Sequence, residues 1–188
     1  MYELALNMGA KVHCLDGECG KLAKVTLEPD TFVVTHLIVE EGFLLKRARV
    51  FPILLVEQAT PEDIYLNVMA DELADYPEYR EEIVEIPDPN HSGEALLDTI
   101  PYMTVITPPM LREKMRQGIP EDATVIERGI PVRNSEGSAG KLDGLVIEQE
   151  SGQISQVVMQ QGLVFTEQKF IPAVNVQHIG ERAIAINI

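Results

Sequence analysis

Cysteine is nearly absent from this sequence, and long apolar runs are absent altogether. The 188 residues include two cysteines, Cys14 and Cys19, which are too few for a disulfide framework and are typical of a reducing cytoplasm. No apolar stretch approaches the roughly 18 residues that a membrane-spanning helix needs. The first residues lack the basic and apolar regions of a signal peptide, so we expect a cytoplasmic protein with at most peripheral membrane contact.

Basic residues are also scarce. The sequence has 15 Lys and Arg against 30 Asp and Glu, for a formal net charge of −15. Much of the excess lies between residues 69 and 128, and its simplest role there is solvation. An acidic protein repels the phosphate backbone, so direct nucleic-acid binding is disfavoured.

The sequence contains an internal repeat. Residues 9–68 align with residues 129–188 at a constant offset of 120, without a gap. The identities are Gly9/Gly129, Val12/Val132, Gly17/Gly137, Gly20/Gly140, Lys21/Lys141, Leu22/Leu142, Glu28/Glu148, Gly42/Gly162, Pro52/Pro172, Val56/Val176, Ile64/Ile184 and Asn67/Asn187. Several are Gly or Pro, which fix backbone geometry, so a fold and its turns are repeated.

Two small domains follow from the repeat. We predict a first domain over 1–76, an acidic, Pro-containing linker with a short helix over 77–120, and a second domain over 121–188. Domains of this size bury only about 60% of their unfolded surface and are marginal alone. We therefore expect the two copies to support each other or to lean on the linker.

Each copy is predicted to consist of short strands separated by turns, which favours a small barrel or sandwich. In the first copy the predicted strands are 4–7, 11–15, 20–28, 33–41, 47–51 and 64–68, with counterparts 120 residues later. Asp16-Gly17 and Glu136-Gly137 are predicted tight turns.

These motifs carry a family resemblance. Gly-x-x-Val is followed by Asp16-Gly-x-x-Gly-Lys-Leu22, by Thr35-His-Leu-Ile-Val-x-x-Gly42 and by a basic run that ends at Pro52. This pattern resembles a PRC-barrel domain, and the second copy matches it more loosely through Glu136-Gly-x-x-Gly-Lys-Leu142, Gly162 and Pro172. The resemblance implies a mainly β protein of two PRC-barrel-like β-barrels in pseudo-twofold arrangement.

The same resemblance bears on function. The family occurs in the cytoplasmic domain of a photosynthetic reaction-centre subunit and in the C-terminal domain of a ribosome maturation factor. It therefore implies a non-catalytic barrel that docks on proteins. Nothing in this chain resembles the companion domains of either protein, so neither particular role is carried over.

Groups that could carry chemistry are few. His13, Cys14, Cys19 and His36 are the only soft-ligand cluster, but their spacing matches no usual zinc pattern, and the second copy has Arg133, Asn134, Ala139 and Gln156 in their places. We therefore expect no metal, no cofactor and no catalytic residue. A reactive cysteine pair, a zinc site and hydrolysis involving His91-Ser92 are the alternatives, and His178 lies in an unrelated context. Gly17-x-x-Gly20-Lys21 is followed by a strand and not by a helix, so it is not a phosphate-binding loop.

The linker contains predicted local structure of its own. Met69 to Tyr76 is predicted as a short helix, Glu78 to Asp98 as an extended loop and Tyr102 to Ile106 as a short strand. Thr107-Pro108-Pro109 is predicted to begin a helix that ends near Gly118. Its apolar stripe of Met110, Leu111 and Met115, beside Lys114, would pack against a barrel or bind a partner.

The hairpin tip between the third and fourth strands is unusual. Tips normally carry Asn, Gly or Asp, whereas this one carries three large apolar residues followed by three bases. They are Phe43, Leu44, Leu45, Lys46, Arg47 and Arg49. The tip either folds back onto the barrels or forms a docking patch for another protein, a second copy or an anionic membrane surface. The apolar tip of the second copy, 163–165, lacks the basic run.

The sequence therefore predicts a non-catalytic scaffold that docks on a partner protein and forms a possible homo-oligomer. The alternatives are a small-ligand-binding protein or enzyme with a pocket between the barrels, and a peripheral membrane-surface adaptor.

Overall fold

The computed structural model describes residues 2–42, 47–87, 110–162 and 167–188, and they form a mainly β protein, as predicted. The strands of the first copy are β1 (Glu3–Asn7), β2 (Lys11–Cys14), β3 (Gly17–Leu27), β4 (Val34–Glu41), β5 (Arg47–Pro52), β6 (Val56–Ala59) and β7 (Asp63–Leu66). The linker contributes β8 (Glu78–Pro87) and β9 (Met110–Gln117). The second copy comprises β10 (Thr124–Glu127), β11 (Pro131–Asn134), β12 (Gly137–Glu148), β13 (Ile154–Gln161), β14 (Glu167–Pro172), β15 (Val176–Ile179) and β16 (Ile184–Ile186).

The register of the repeat is confirmed by the strand pairing. Gly20 lies opposite Val12 in the β2–β3 ladder, and Gly140 lies opposite Val132 in the β11–β12 ladder. At both glycines an added Cβ would collide with the carbonyl oxygen of a neighbouring strand. The two identical glycines are therefore explained by the same close approach of backbones.

The strands form two sheets. One has the order β14-β13-β12-β11-β16-β15, and the other has the order β6-β7-β2-β3-β4-β5-β8-β9. The hydrogen-bonded ladders within the described ranges do not close either sheet into a ring. The barrel form of each copy stays a prediction.

The first strand of each copy lies in the sheet of the other copy. β1 pairs antiparallel with β12, with Ala5 opposite Val146, and β10 pairs antiparallel with β3, with Ile126 opposite Val25. The copies thus exchange their leading strands reciprocally. Each sheet therefore includes a strand that belongs in sequence to the other copy.

A second reciprocal contact joins the turns that precede β4 and β13. The Val34 N–H donates to the Gly152 carbonyl oxygen at 2.9 Å, and the Ile154 N–H donates to the Phe32 carbonyl oxygen at 2.7 Å. Each donor and acceptor in the first bond has its equivalent, 120 residues away, in the second. This exchange of equivalent bonds indicates pseudo-twofold symmetry between the copies.

The core is shared between the copies. One hydrophobic cluster contains buried residues from both, including Leu6 of β1 and Ile126 of β10, which occupy equivalent positions and are both fully buried. This shared core agrees with the expectation that such small units support each other.

Two predictions for the linker were wrong over its described residues. Residues 78–87 form β8 instead of a loop, and residues 110–117 form β9 instead of a helix. The physical reason is a period of two: Arg112, Lys114 and Arg116 share one face of β9 and pair with carboxylates of β8. In a helix, Lys114 would lie on the opposite side from Arg112 and Arg116. The remaining predictions for the linker, over 88–109, lie outside the described residues.

The predicted short helix before β8 is confirmed. It is a 3-10 helix over Ala70–Asp75 with Asp71 and Glu72 in its first turn. Shorter 3-10 turns at Ile53–Leu55 and Ala173–Asn175 follow β5 and β14. No helix in the described part of the chain is long and apolar enough to cross a bilayer.

Because the exchanged strands fill one shared core, we predict that Leu6→Ala and Ile126→Ala each destabilise the whole chain. Each should lower the free energy of unfolding by about 2–5 kcal/mol and shift one cooperative calorimetric transition. Leu54→Ala is the matched control, since Leu54 is 82% exposed and should have little effect. Two separate transitions in either core variant, with one unmoved, would contradict the shared core.

Candidate functional site

The predicted docking tip is only partly within the described residues. Phe43, Leu44, Leu45 and Lys46 lie outside them, as do residues 163–165 of the second copy. Arg47 begins β5 and is exposed. Arg47 is therefore an exposed base next to the tip, although it lies opposite Glu41 and helps to lower the pKa of Glu78.

Arg49 is bound within the chain. Its Nε lies 3.3 Å from Glu41 Oε1, and its guanidinium donates a hydrogen bond to the Tyr76 carbonyl oxygen at 2.9 Å. These contacts fix the end of the Ala70–Asp75 3-10 helix against β5. Arg49 is a structural residue here, whatever the neighbouring tip binds.

The soft-ligand candidates do not gather at one place. Cys14 and Cys19 interact with each other, and burial raises the pKa of both thiols. His13 Nε2 lies 2.6 Å from Asp63 Oδ1 and its ring stacks on Tyr65. Within the described ranges no group of three or more His, Cys, Asp or Glu side chains could hold a metal ion.

His36 lies in a different environment from the cysteines. Its Nδ1 is 3.1 Å from Thr35 Oγ1 and 3.3 Å from Thr26 Oγ1, and burial lowers the pKa of the imidazole. Thr26 is itself fully buried. A neutral His36 that completes a small hydrogen-bonded cluster is consistent with these contacts.

The largest feature without an equivalent in the repeat is the two-stranded ribbon of β8 and β9. The strands pair from Arg80 opposite Gln117 to Pro87 opposite Met110. The ribbon joins the body where Ala48 and Arg49 of β5 pair with Tyr79 and Glu78. Beyond Tyr79, no described residue of either strand is buried, so the ribbon projects from the body.

Ion pairs cover one face of the ribbon. Directly opposed residues of an antiparallel pair share a face, which places Glu81 with Arg116, Ile83 with Lys114 and Glu85 with Arg112. Arg112 Nε lies 3.1 Å from Glu85 Oε1. Ile83, which is 63% exposed, is an apolar residue among these charges.

The opposite face of the ribbon is apolar. It carries Val84, Ile86, Leu111 and Met115, together with the polar residues Arg80, Glu82, Glu113 and Gln117. Val84 and Ile86 are half-buried. Met115 is 58% exposed and Leu111 is 41% exposed. We refer to these four apolar residues as the ribbon stripe. Of the apolar residues predicted on one helical stripe, Leu111 and Met115 lie on this face of a strand, whereas Met110 lies on the opposite face. All three are exposed.

Glu81 is the centre of the charge network at the base of the ribbon. Its carboxylate accepts a hydrogen bond from the Tyr79 hydroxyl at 2.7 Å, and it lies 3.1 Å from Lys114 Nζ and 3.2 Å from Arg116 Nε. Lys24 of β3 approaches the same carboxylate at 3.3 Å. Burial alone would raise the pKa of Glu81, but the Tyr79 hydrogen bond and the surrounding cations outweigh it and lower the pKa to about 2.

The network also reaches the second copy. Arg116 forms a bidentate pair with Glu181, at 2.6 Å and 2.9 Å, and this pair lowers the pKa of Glu181. Lys24 pairs with Glu127 of β10 at 3.0 Å. The ribbon base is therefore held to both copies at once, and the ribbon stripe has a fixed orientation.

A polar cleft of about 640 Å³ lies where the copies meet. Its lining includes Lys11, Lys21, Asp63, Arg128 and Asp143. The buried Asp143 carboxylate is engaged by Arg128 at 2.8 Å and by the Gln168 amide at 2.8 Å. Much of the charge in the cleft is therefore already paired within the chain.

Sequence reasoning missed the ribbon and its network. The available signal was the alternation of Arg112, Lys114 and Arg116 with Leu111, Glu113 and Met115, which is a strand pattern. The prolines at 108 and 109 favoured a helix start and obscured it.

Comparisons with known proteins give no identity. No protein-family model matches the chain, and no curated protein matches it.

We predict that Glu81→Gln destabilises the fold by about 2–3 kcal/mol at pH 7, because it leaves the three cations of the network without their central carboxylate. The pKa of Glu81 is depressed in the folded state, so its stabilisation is complete above about pH 4.5 and is lost as the pH falls towards 2. Urea unfolding of Glu81→Gln and of the unsubstituted protein should therefore give free energies of unfolding that differ at pH 7 and differ less at pH 3.

Glu85→Gln is the control for this prediction. Glu85 lies on the same strand and face, but its pair with Arg112 is exposed, so the substitution should change the free energy of unfolding by less than about 0.5 kcal/mol. Equal stability of Glu81→Gln and the unsubstituted protein at pH 7 would show that the network does not anchor the ribbon.

Proposed function

We propose that this chain is a non-catalytic protein-binding scaffold of two PRC-barrel-like modules that docks on a partner protein or complex in the cytoplasm. The observation that carries the proposal is the ribbon stripe. It is an oriented apolar surface on an element that, beyond Tyr79, buries none of its described residues.

The energetics of the ribbon support this role. A two-stranded ribbon is marginally stable in water unless one face is covered. Full burial of a large apolar side chain such as Leu111 or Met115 contributes about 1.5–3 kcal/mol of favourable free energy relative to full exposure. Side chains of the ribbon stripe that face solvent do not gain this contribution. A partner that covers the stripe would gain it without unfolding either copy.

The composition of the stripe indicates the chemistry of the partner. Glu82 and Glu113 share the face with the apolar residues and are both exposed, whereas Arg80 on the same face is paired with Glu78 at 3.0 Å. A complementary surface would have an apolar floor and basic residues at its rim. The charged rim should mainly set orientation and association rate, while the apolar contacts supply most of the affinity.

The apolar tip over 43–45 stays a second candidate contact for the same partner or for a second copy. Exposed Arg47 beside it suits an acidic surface. The PRC-barrel resemblance supports the same class of function, since it implies modules that dock on proteins.

We predict that the double variant Leu111→Ser/Met115→Ser loses partner recovery in an affinity pull-down analysed by mass spectrometry. Its melting temperature should stay within a few degrees of the unsubstituted protein, because both side chains are largely exposed. Ile83→Ser is the control, since Ile83 is as exposed but lies on the ion-paired face. If the unsubstituted protein, the double variant and Ile83→Ser all recover the same proteins, the ribbon stripe is not the docking surface.

The alternative function is binding of a small polar ligand in the cleft between the copies. The size of the cleft and its several polar groups favour this reading. We rank it second because Asp143, Arg128 and Asp63 already have partners within the chain.

We predict that a fragment screen by nitrogen-15 chemical-shift mapping leaves the amides of Met8, Gly9 and Lys11, which line the cleft, unmoved. The paired charges in the cleft offer little unsatisfied hydrogen-bonding capacity to a ligand. Saturable shifts at these three amides that disappear in Arg128→Ala would instead establish the ligand-binding alternative.

A further inference from the structure

The two copies differ at one equivalent sheet edge. In the first copy β5 is followed in its sheet by β8, which covers it. In the second copy β14 ends its sheet, and the described residues add no strand beyond it. The residues at its exposed end, Glu167, Gln168, Lys169 and Phe170, are all exposed.

The covered edge shows which backbone groups are left open on β14. The Val50 N–H donates to the Pro77 carbonyl oxygen, and Ala48 lies opposite Tyr79. Ala48 and Val50 therefore direct their backbone groups towards β8, because outward groups alternate along a strand. By the 120-residue repeat, Gln168 and Phe170 direct theirs away from β13 and towards solvent.

The side chains show the same difference. Val50 is 2% exposed and packs with Tyr79, Ile38 and Val125 in a small second cluster. Its equivalent, Phe170, is 55% exposed. An edge strand with open backbone groups and a large exposed aromatic residue is a ready site for addition of another strand.

We propose that the β14 edge pairs with the β14 edge of a second copy of this chain, as an antiparallel ladder about a twofold axis at Gln168. Such an isologous contact requires a surface that is complementary to itself. Gln168 then lies opposite Gln168 of the second copy. Glu167 lies opposite Lys169 of the second copy, and Lys169 lies opposite Glu167 of the second copy. The sequence Glu-Gln-Lys thus forms two opposite-charge cross-strand pairs in this register.

The geometry of the ladder favours these pairs. Since Gln168 directs its backbone outward, residues 167 and 169 occupy the non-hydrogen-bonded positions, where opposed side chains approach most closely. Glu167 and Lys169 have no ion-pair partner of their own within the described residues. The pairing therefore breaks no contact that the described chain already makes.

Charge on the whole molecule limits the strength of this contact. Two copies with a net charge of −15 repel each other, and a short ladder is smaller than a standard protein interface. The dimer is therefore weak and depends on concentration. Salt screens both the repulsion between the two negatively charged copies and the attraction in the two Glu167–Lys169 pairs. Added salt should strengthen the dimer where the first effect is larger.

The test is sedimentation velocity of the full chain over a concentration series from about 10 μM to 1 mM, a range chosen for weak association. The unsubstituted protein should shift from monomer towards dimer. Lys169→Glu and Glu167→Lys each place like charges opposite each other twice, so each should raise the dissociation constant about tenfold or more. The double exchange Glu167→Lys/Lys169→Glu restores both pairs and should restore the dimer.

Two controls match the single variants in charge change. Arg182→Glu corresponds to Lys169→Glu, and Glu57→Lys corresponds to Glu167→Lys; all four positions are exposed. Both controls should dimerise like the unsubstituted protein, and every variant should keep its melting temperature. A monomer at all concentrations, equal dimerisation of all variants, or a double exchange that fails to restore the dimer would each overturn the proposal.

Discussion

The reciprocal exchange of β1 and β10 is the interaction on which the rest of the structure depends. Each strand completes the sheet of the copy to which it does not belong in sequence, and each places a fully buried side chain, Leu6 or Ile126, in a common core. Two units of a size that is expected to be only marginally stable alone thereby share one core. The linker must then run from the end of one copy to the exchanged strand of the other, which places it at the junction.

That placement breaks the symmetry of the repeat. The linker chain covers the β5 edge of the first copy with β8 and anchors itself to both copies through Glu81, Arg116 and Glu181. The equivalent β14 edge has no such cover among the described strands. Of these two equivalent edges, the chain therefore covers the β5 edge itself and no described strand covers the β14 edge. The linker also forms a projecting ribbon with exposed apolar residues on one face. The proposed contacts of the ribbon stripe and of the β14 edge follow from this asymmetry, whereas the candidate contact at residues 43–45 does not depend on it.

Much of the fold could be predicted because turns and close backbone approaches leave a local signature. Gly20 and Gly140 mark the same crowded ladder position, and the period of two in each strand follows from burial on one face. The exchange could not be predicted, since β1 and β10 would look alike whether paired within or between copies. The ribbon was missed because its partner charges lie far apart in sequence, with Glu81 and Arg116 separated by 35 positions. The tip residues Phe43 to Lys46 were identified from their unusual chemistry alone, and their role stays a prediction.

Native-state hydrogen exchange tests the central claim most directly. If the exchanged strands join the copies into one folding unit, the slowest amides of β3 and β12 and those of β1 and β10 should all open with the same free energy and the same dependence on denaturant. Two distinct sets, with one copy opening at clearly lower free energy while the other stays protected, would contradict the account, because neither sheet could then depend on the strand it receives.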